Sequence, residues 1–266
     1  MEEDFVKQLF QFVNESVYYR VDTAEHLKGF LDFLAGIHGN LSMANKVLVF
    51  GYNPNATNVN TKDRWESQGI QVLDESQMIH TLQYAPESEF GYVDRVMYDV
   101  SSTNAEPTRF ESFPDVGFFA ERLIISAPCP IHFQEQSKPG MPKAIYLEQD
   151  NTIHVTKGFK NETEVCHYLL REYGHFYLKG ADRNPNGYSR DEYAVNAHAV
   201  SYAICKRYGI DPPPIDSANI SNGLEPKEIL KVLGGINDAM NMISFRIAES
   251  KKQTIEIGKV QVQGRE

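Results

Sequence analysis

Lys143-Ala144-Ile145-Tyr146-Leu147, Asp150-Asn151 and Ile153-His154-Val155 are followed by an unbroken helical pattern from Glu162 to Leu178. The first three pieces read as a β-hairpin: two short apolar, partly β-branched runs flank an Asp-Asn turn. In the helix that follows, His167, Arg171 and His175 recur every four residues and therefore share one stripe. Downstream, a second helix is expected from Arg190 to Tyr208, and Asp211-Pro212-Pro213-Pro214 stops the chain, because proline lacks the amide a helix needs. A long helix from Pro226 to about Glu249 places Ile229, Val232, Leu233, Ile236, Met240, Ile243 and Ile247 on its apolar face. The tail, Thr254 to Ile257 and Val260 to Val262, alternates and reads as a late strand or a loose extension.

Upstream of the hairpin the pattern changes. Residues 104–142 hold Pro107, Pro114, Pro128, Pro130, Pro139 and Pro142 and read as irregular, with one short helix from Phe118 to Ile125. Before them come helices. Phe5, Leu9, Phe12, Val13 and Val17 form one stripe, and Leu27, Phe30, Leu31 and Leu34 form another after the acidic start Asp22-Thr23-Ala24-Glu25. Ser42 caps a third helix, and Thr61 caps a short one that carries Trp65. Ile70 to Leu73, Met78 to Tyr84 and Tyr92 to Val100 read as strands. The expected architecture is α+β. A helical and small-sheet domain spans 1–105, a proline-rich linker or wrapping segment spans 106–142, and a hairpin–helix–helix–long-helix domain spans 143–266.

Composition narrows the function classes. No apolar run reaches the roughly 20 residues that cross a bilayer, and the start, Met-Glu-Glu-Asp-Phe, is acidic where a secretory leader is basic. A cytoplasmic protein without a membrane partner is expected. Three cysteines, Cys129, Cys166 and Cys205, make neither a disulfide framework nor a Cys-x-x-Cys metal knuckle, so buried free thiols are expected. The net charge of −10 is uneven: residues 1–150 hold 11 Lys/Arg against 22 Asp/Glu, and residues 151–266 hold 15 against 14. Such an acidic first half repels phosphate backbones at long range. Phosphate-binding loops and the Gly-x-Ser-x-Gly elbow of serine hydrolases are absent from the sequence.

Two stretches carry a resemblance. The order hairpin, helix, helix, long helix is similar to the C-terminal zincin-like domain of ArdC-type antirestriction proteins. The run Gly39-Asn40-Leu41-Ser42-Met43-Ala44-Asn45-Lys46-Val47-Leu48-Val49, then Asn53-Pro54-Asn55-Ala56-Thr57, then Arg64-Trp65-Glu66-Ser67-Gln68-Gly69-Ile70, resembles that family's N-terminal, single-stranded-DNA-binding domain. The resemblance implies a mobile-element or phage accessory protein. It also implies candidate nucleic-acid contacts at Ser42, Asn45, Lys46, Lys62, Arg64 and Trp65, with Tyr18, Tyr19, Phe50 and Tyr52 as further stacking faces. Where relatives are Lys- and Gly-rich after this stretch, the chain has Leu73-Asp74-Glu75-Ser76-Gln77. Fewer phosphate contacts are available there.

In the zincin-like half the resemblance implies a His-Glu-x-x-His helix, in which two imidazoles hold zinc and the glutamate acts as general base on a bound water. The stretch that matches is Arg171-Glu172-Tyr173-Gly174-His175. Glu172 keeps the base position and His175 the second ligand. Arg171 replaces the first ligand with a guanidinium that has no lone pair for a metal. The helix expected to supply an acidic third ligand runs through Asp191 to Val200, where Glu192 remains and Ala194, Asn196 or His198 stands at the altered position. Three readings follow. In the first, Arg171 and Asn196 fill a lost metal site, with Arg171 paired to Glu172 or Glu192, and no cofactor is needed. In the second, His175 and His198, with Glu192, Glu172 or His167, rebuild a zinc site and Glu172 is catalytic. In the third, these are ordinary helix residues. The leading function is a pseudo-metallopeptidase that binds single-stranded DNA or a host restriction or defence protein; the alternatives are a zinc peptidase with a rearranged site and, from the acidic composition, a DNA mimic that inhibits a host enzyme.

Overall fold

The computed structural model describes residues 2–107, 109–110, 112–135, 142–181, 188–215 and 223–263. The chain divides into two compact units: Met1–Phe110 with Asp216–Gly234, and Glu111–Ile215 with Gly235–Glu266. Among the described residues no helix is long and apolar enough to cross a membrane.

The first unit opens with three helices, α1 (Glu2–Tyr19), α2 (Ala24–Gly36) and α3 (Met43–Tyr52). Local chemistry sets their starts. Thr23 Oγ1 accepts the His26 amide at 3.1 Å, and Ser42 Oγ accepts the Asn45 amide at 3.3 Å; each satisfies one of the donors that a helix N-terminus leaves unpaired. Val6, Leu9, Val13 and Val17 are buried along α1, and Leu27, Phe30, Leu31 and Leu34 along α2. After β1 (Val59–Asn60) and the short α4 (Lys62–Glu66), β2 (Ile79–Tyr84) and β3 (Tyr92–Asp99) complete an antiparallel sheet of order β1-β3-β2. Trp65 is 1% exposed and packs with Val72, Tyr98 and Val100, while its indole N–H donates to the Tyr98 carbonyl at 2.9 Å. The strand expected at Ile70 to Leu73 does not form. Val72 makes a single bridge to Thr103, and the Gln71 amide is taken by the Asn104 side chain at 2.9 Å, which leaves no ladder to extend.

In the second unit, α5 (Val116–Ile125) and β4 (Ile131–Gln134) come from the proline-rich stretch. Residues 108, 111 and 136–141 of that stretch lie outside the described residues. The hairpin is β5 (Ala144–Leu147) and β6 (Thr152–Thr156), paired antiparallel, with β4 added parallel on the other edge of β6. Asn151, at φ 51°, takes the left-handed conformation that the tight turn needs and that asparagine tolerates better than most residues. Two helices follow, α6 (Glu162–Ala181) and α7 (Ala194–Arg207). They pass close at Gly174, where an added Cβ would lie 3.0 Å from Ala197 Cα and 3.1 Å from its carbonyl oxygen. The expected start of the second helix at Arg190 is corrected to Ala194: residues 190–193 form turns, and Ala194 N bonds the Asp191 carbonyl at 3.3 Å.

The long helix α8 runs Pro226–Gln263, so the tail expected as a strand is helical. Continuing an existing helix adds one hydrogen bond for each residue ordered, whereas a strand there would need a free sheet edge. Ile236, Met240, Ile243 and Ile247 are buried on it, as are Leu169, Leu170 and Tyr173 on α6. The three cysteines are free and buried, and burial pushes the Cys166 thiol up to about 12, which leaves it protonated and unreactive at neutral pH.

Candidate functional site: a carboxylate clasped by two arginines

Helix α6 positions the motif residues because its apolar stripe, Cys166, Leu169, Leu170 and Tyr173, is sunk in the core. This orientation carries Glu172 inward, to 0% exposure, beside the first hairpin strand. The carboxylate accepts from three donors. The Tyr146 amide of β5 reaches Oε2 at 2.8 Å, and Arg171 Nε reaches Oε1 at 3.1 Å. Arg190 Nη2 lies 2.8 Å from both oxygens. A wholly desolvated carboxylate is costly unless it is both paired and hydrogen-bonded, and here it is both. Arg171 is 28% exposed and its guanidinium stacks 4.7 Å above the Tyr168 ring.

One turn further along α6, His175 is 1% exposed and its Nδ1 meets the Tyr188 hydroxyl. Burial, then the charges of Arg190 and Arg171, lower the His175 pKa to about 3, so the imidazole is neutral at physiological pH. Burial also raises the Tyr188 phenol, so that bond joins two neutral groups. Tyr188 in turn stacks on Tyr193 with ring centroids 5.2 Å apart.

The other expected ligands are held elsewhere. His198 Nε2 donates to the Pro214 carbonyl at 2.7 Å, and His167 Nε2 to the Asp211 carbonyl at 2.7 Å. Both therefore pin the proline run Asp211 to Pro214 against α6 and α7. Glu192 is exposed, and Asn196 is buried in α7. Among the described residues no three His, Cys, Asp or Glu side chains are grouped to hold a metal ion. A divalent ion of the zinc type needs three or four donors about 2 Å away. The donor set at this place is one neutral imidazole and a carboxylate whose oxygens already serve two guanidiniums and an amide. Two fixed positive charges beside it repel a cation, so the residues present do not fit one.

Arg190, Tyr188 and the Tyr146 amide were not singled out from the sequence. The amide belongs to the backbone and carries no residue signal. Arg190 and Tyr188 stand 18 and 13 residues from their partners, in a turn without periodicity. The one available signal was a second arginine directly before the helix expected to bring the third ligand.

The candidates in the first unit mostly serve the fold. Asn45 makes a reciprocal pair with the Leu82 backbone, donating from Nδ2 to its carbonyl at 2.9 Å and accepting its amide at 2.8 Å. Ser42 is a helix cap, Lys46 is 2% exposed, and Trp65 is core, so Trp65 has no face to offer a base. Phe50 packs edge-on against Phe30 and under Arg20. Lys62 is paired with Glu75 at 2.6 Å, and Arg64 is exposed. Tyr19 and Tyr52 are exposed as well, 64% and 46%.

Taken with its sheets and helices, the chain has an α+β fold of ArdC-like type. The chain is similar to solved structures of the antirestriction ArdC protein from the R388 plasmid. The Mn(II)-bound form matches with a TM-score of 0.52 at 14% identity, over 78% of this chain and 85% of that one. The metal-free form matches with a TM-score of 0.47 at 14% identity, over 79% and 86%. No protein-family model and no curated protein matches the chain.

Proposed function

We propose that this chain is a mobile-element accessory protein of the antirestriction type that has given up peptidase chemistry and acts by binding. The observation that carries the reading is the clasp on Glu172. A general base must reach a metal-bound water with a free carboxylate oxygen, and both oxygens here are held by Arg171, Arg190 and the Tyr146 amide. The likeness of fold to an antirestriction protein supports the biological setting. A protein of the host's restriction or defence system is favoured as partner over single-stranded DNA. Ser42, Asn45 and Trp65 are engaged inside the fold, Lys62 is neutralised by Glu75, and residues 1–150 carry twice as many acids as bases. An acidic surface competes with DNA for a basic enzyme by the same electrostatics that steer DNA to it.

The test pairs a peptidase assay with a cell assay. Protein purified without chelator and then supplied with Zn(II) or Mn(II) is expected to bind less than about a tenth of an equivalent tightly and to leave fluorogenic peptides intact. Expressed beside a type I restriction system, it is expected to raise the survival of unmodified DNA. Metal-dependent cleavage that disappears in Glu172→Gln would overturn the reading in favour of a rearranged zinc enzyme. A gel shift with single-stranded DNA that persists at moderate salt would return the nucleic acid as partner.

A further inference from the structure

The first unit also holds a cleft. It has a volume of 690 Å³ and is walled by Phe5, Tyr52, His80, Asp74, Ser76 and Asp99 among others. A second, apolar compartment of 310 Å³ adjoins it, formed by Leu9, Phe12, Leu48 and Gly51 and sharing Phe5 and Tyr52 with the first. The two aromatic rings are therefore a common wall between a polar chamber and an apolar one. Gly51 makes the apolar chamber possible. A Cβ there would stand 2.6 Å from the Phe12 ring, so only glycine lets that ring lie against α3.

The polar chamber is built for positive charge. Its described lining includes neither lysine nor arginine and two carboxylates, of which Asp99 is buried and already accepts the Thr57, Asn58 and Ser101 amides, so Asp74 is the one open to a ligand. The Asp74 Oδ1 atom takes the Ser76 amide and hydroxyl at 3.0 and 2.6 Å. Asp74 itself is exposed, which leaves its second oxygen for a ligand. His80 is oriented from behind: Asp94 Oδ2 holds its Nδ1 at 2.8 Å, so Nε2 is the nitrogen left for a ligand. The other oxygen of Asp94 is buried with no hydrogen-bond partner among the described residues. Phe5 meets the His80 ring edge-on at 4.8 Å, and Tyr52 lies 6.0 Å from it. Aromatic faces beside carboxylates attract ammonium and guanidinium groups by cation–π and Coulomb terms together.

We infer that this two-chamber cleft docks a segment of a partner protein in which a lysine or arginine stands next to a large apolar side chain. The cation enters the Asp74–His80 chamber, the apolar group enters the Leu9–Phe12–Leu48 chamber, and Tyr52 touches both. The inference rests on the proposed binding function and gives it a place and a chemistry. The cleft volume falls in the range of small-ligand sites, but its two unlike halves fit a pair of neighbouring side chains better than one compact molecule.

Fluorescence polarisation with the full chain tests it, using three fluorescein-labelled octapeptides of alternating Lys-Leu, Glu-Leu and Lys-Ser. The Lys-Leu peptide is expected to saturate at one per chain and to bind at least about tenfold more tightly than either other peptide. Tyr52→Ala is expected to weaken it about tenfold and Asp74→Asn about threefold. Gly51→Ala, which evicts the Phe12 ring, should weaken Lys-Leu and leave Lys-Ser unchanged. Glu87→Gln, an exposed acid outside the described lining of both chambers, should change nothing. Unchanged thermal melting of each variant shows that the fold is kept. Absent saturation, equal binding of Glu-Leu, an equal loss in Glu87→Gln, or displacement of the peptide by oligothymidylate would each overturn the inference. The restriction assay separates the two claims. Full protection by Tyr52→Ala would remove the cleft and leave the binding function standing, whereas saturable Lys-Leu binding without protection by the parent protein would remove the function and leave the cleft.

Discussion

The two regions that the sequence marked as functional have been built inward by different means. Trp65 and Asn45 are held by neutral contacts: an indole in an apolar cluster, and an amide that pairs both ways with one backbone residue. Around Glu172 the interior is ionic, with one carboxylate, two guanidiniums and a histidine kept uncharged. A neutral interior gains from burial in proportion to area, and its loss is a cavity. An ionic interior gains little net energy from being formed but loses much when one partner goes, because the survivors stay desolvated and unmatched. Residue type alone does not separate a reactive group from a structural one. What surrounds it does.

The contrast can be broken at its neutral end first, where the largest effect is expected. Trp65→Ala removes the centre of its cluster and orphans the Tyr98 carbonyl, and should lower the unfolding free energy by about 4 kcal/mol in urea titration. A loss below about 1 kcal/mol would mean that Trp65 is not core. At the ionic end, Glu172→Ala should cost about 3 kcal/mol, because Arg171 and Arg190 lose their shared counter-charge. Since both arginines are near 30% exposed and can turn toward water, the cost should stay below that of Trp65→Ala. The smallest effect sharpens the comparison through pH. His175 has a folded-state pKa of about 3 against an unfolded value of 6.5, so between those values the unfolded chain binds the extra proton. Its contribution is therefore fully present above pH 6.5, falls as pH drops, and levels off below pH 3. Between pH 7 and 5.5 the loss should be about 1 kcal/mol, and His175→Gln should abolish that part of the slope. A parent protein with no slope there would place a protonated imidazole in the folded state.

Much of this was readable beforehand. The hairpin, α6, the body of α8 and the caps at Ser42 and Thr61 follow from periodicity and capping, which are local signals. Arg171 beside Glu172 was also legible, since neighbours on one helix need no tertiary knowledge. Arg190 was not. A turn residue pairing across 18 positions leaves no periodic trace in the sequence, and an amide offered by a strand leaves none at all. The helical tail was missed for another reason: alternation over Thr254 to Val262 is a local strand signal, and the helix already running into it prevailed. The cleft went unseen because its walls come from α1, α3, the 74–80 segment and the end of β3 with the residues after it, which only folding assembles.

Arg190 also bears on how such a chain can change with time. Replacing Arg171 by histidine would complete a His-Glu-x-x-His pattern, yet Arg190 would still cover both oxygens of Glu172. Removing Arg190 as well strands a carboxylate with no exposure beside a single backbone amide, unless a cation arrives in the same step. A metal centre at this place therefore needs at least two substitutions together with the ion itself, because either arginine left in place repels the cation and both removed without it leave a buried charge unmatched.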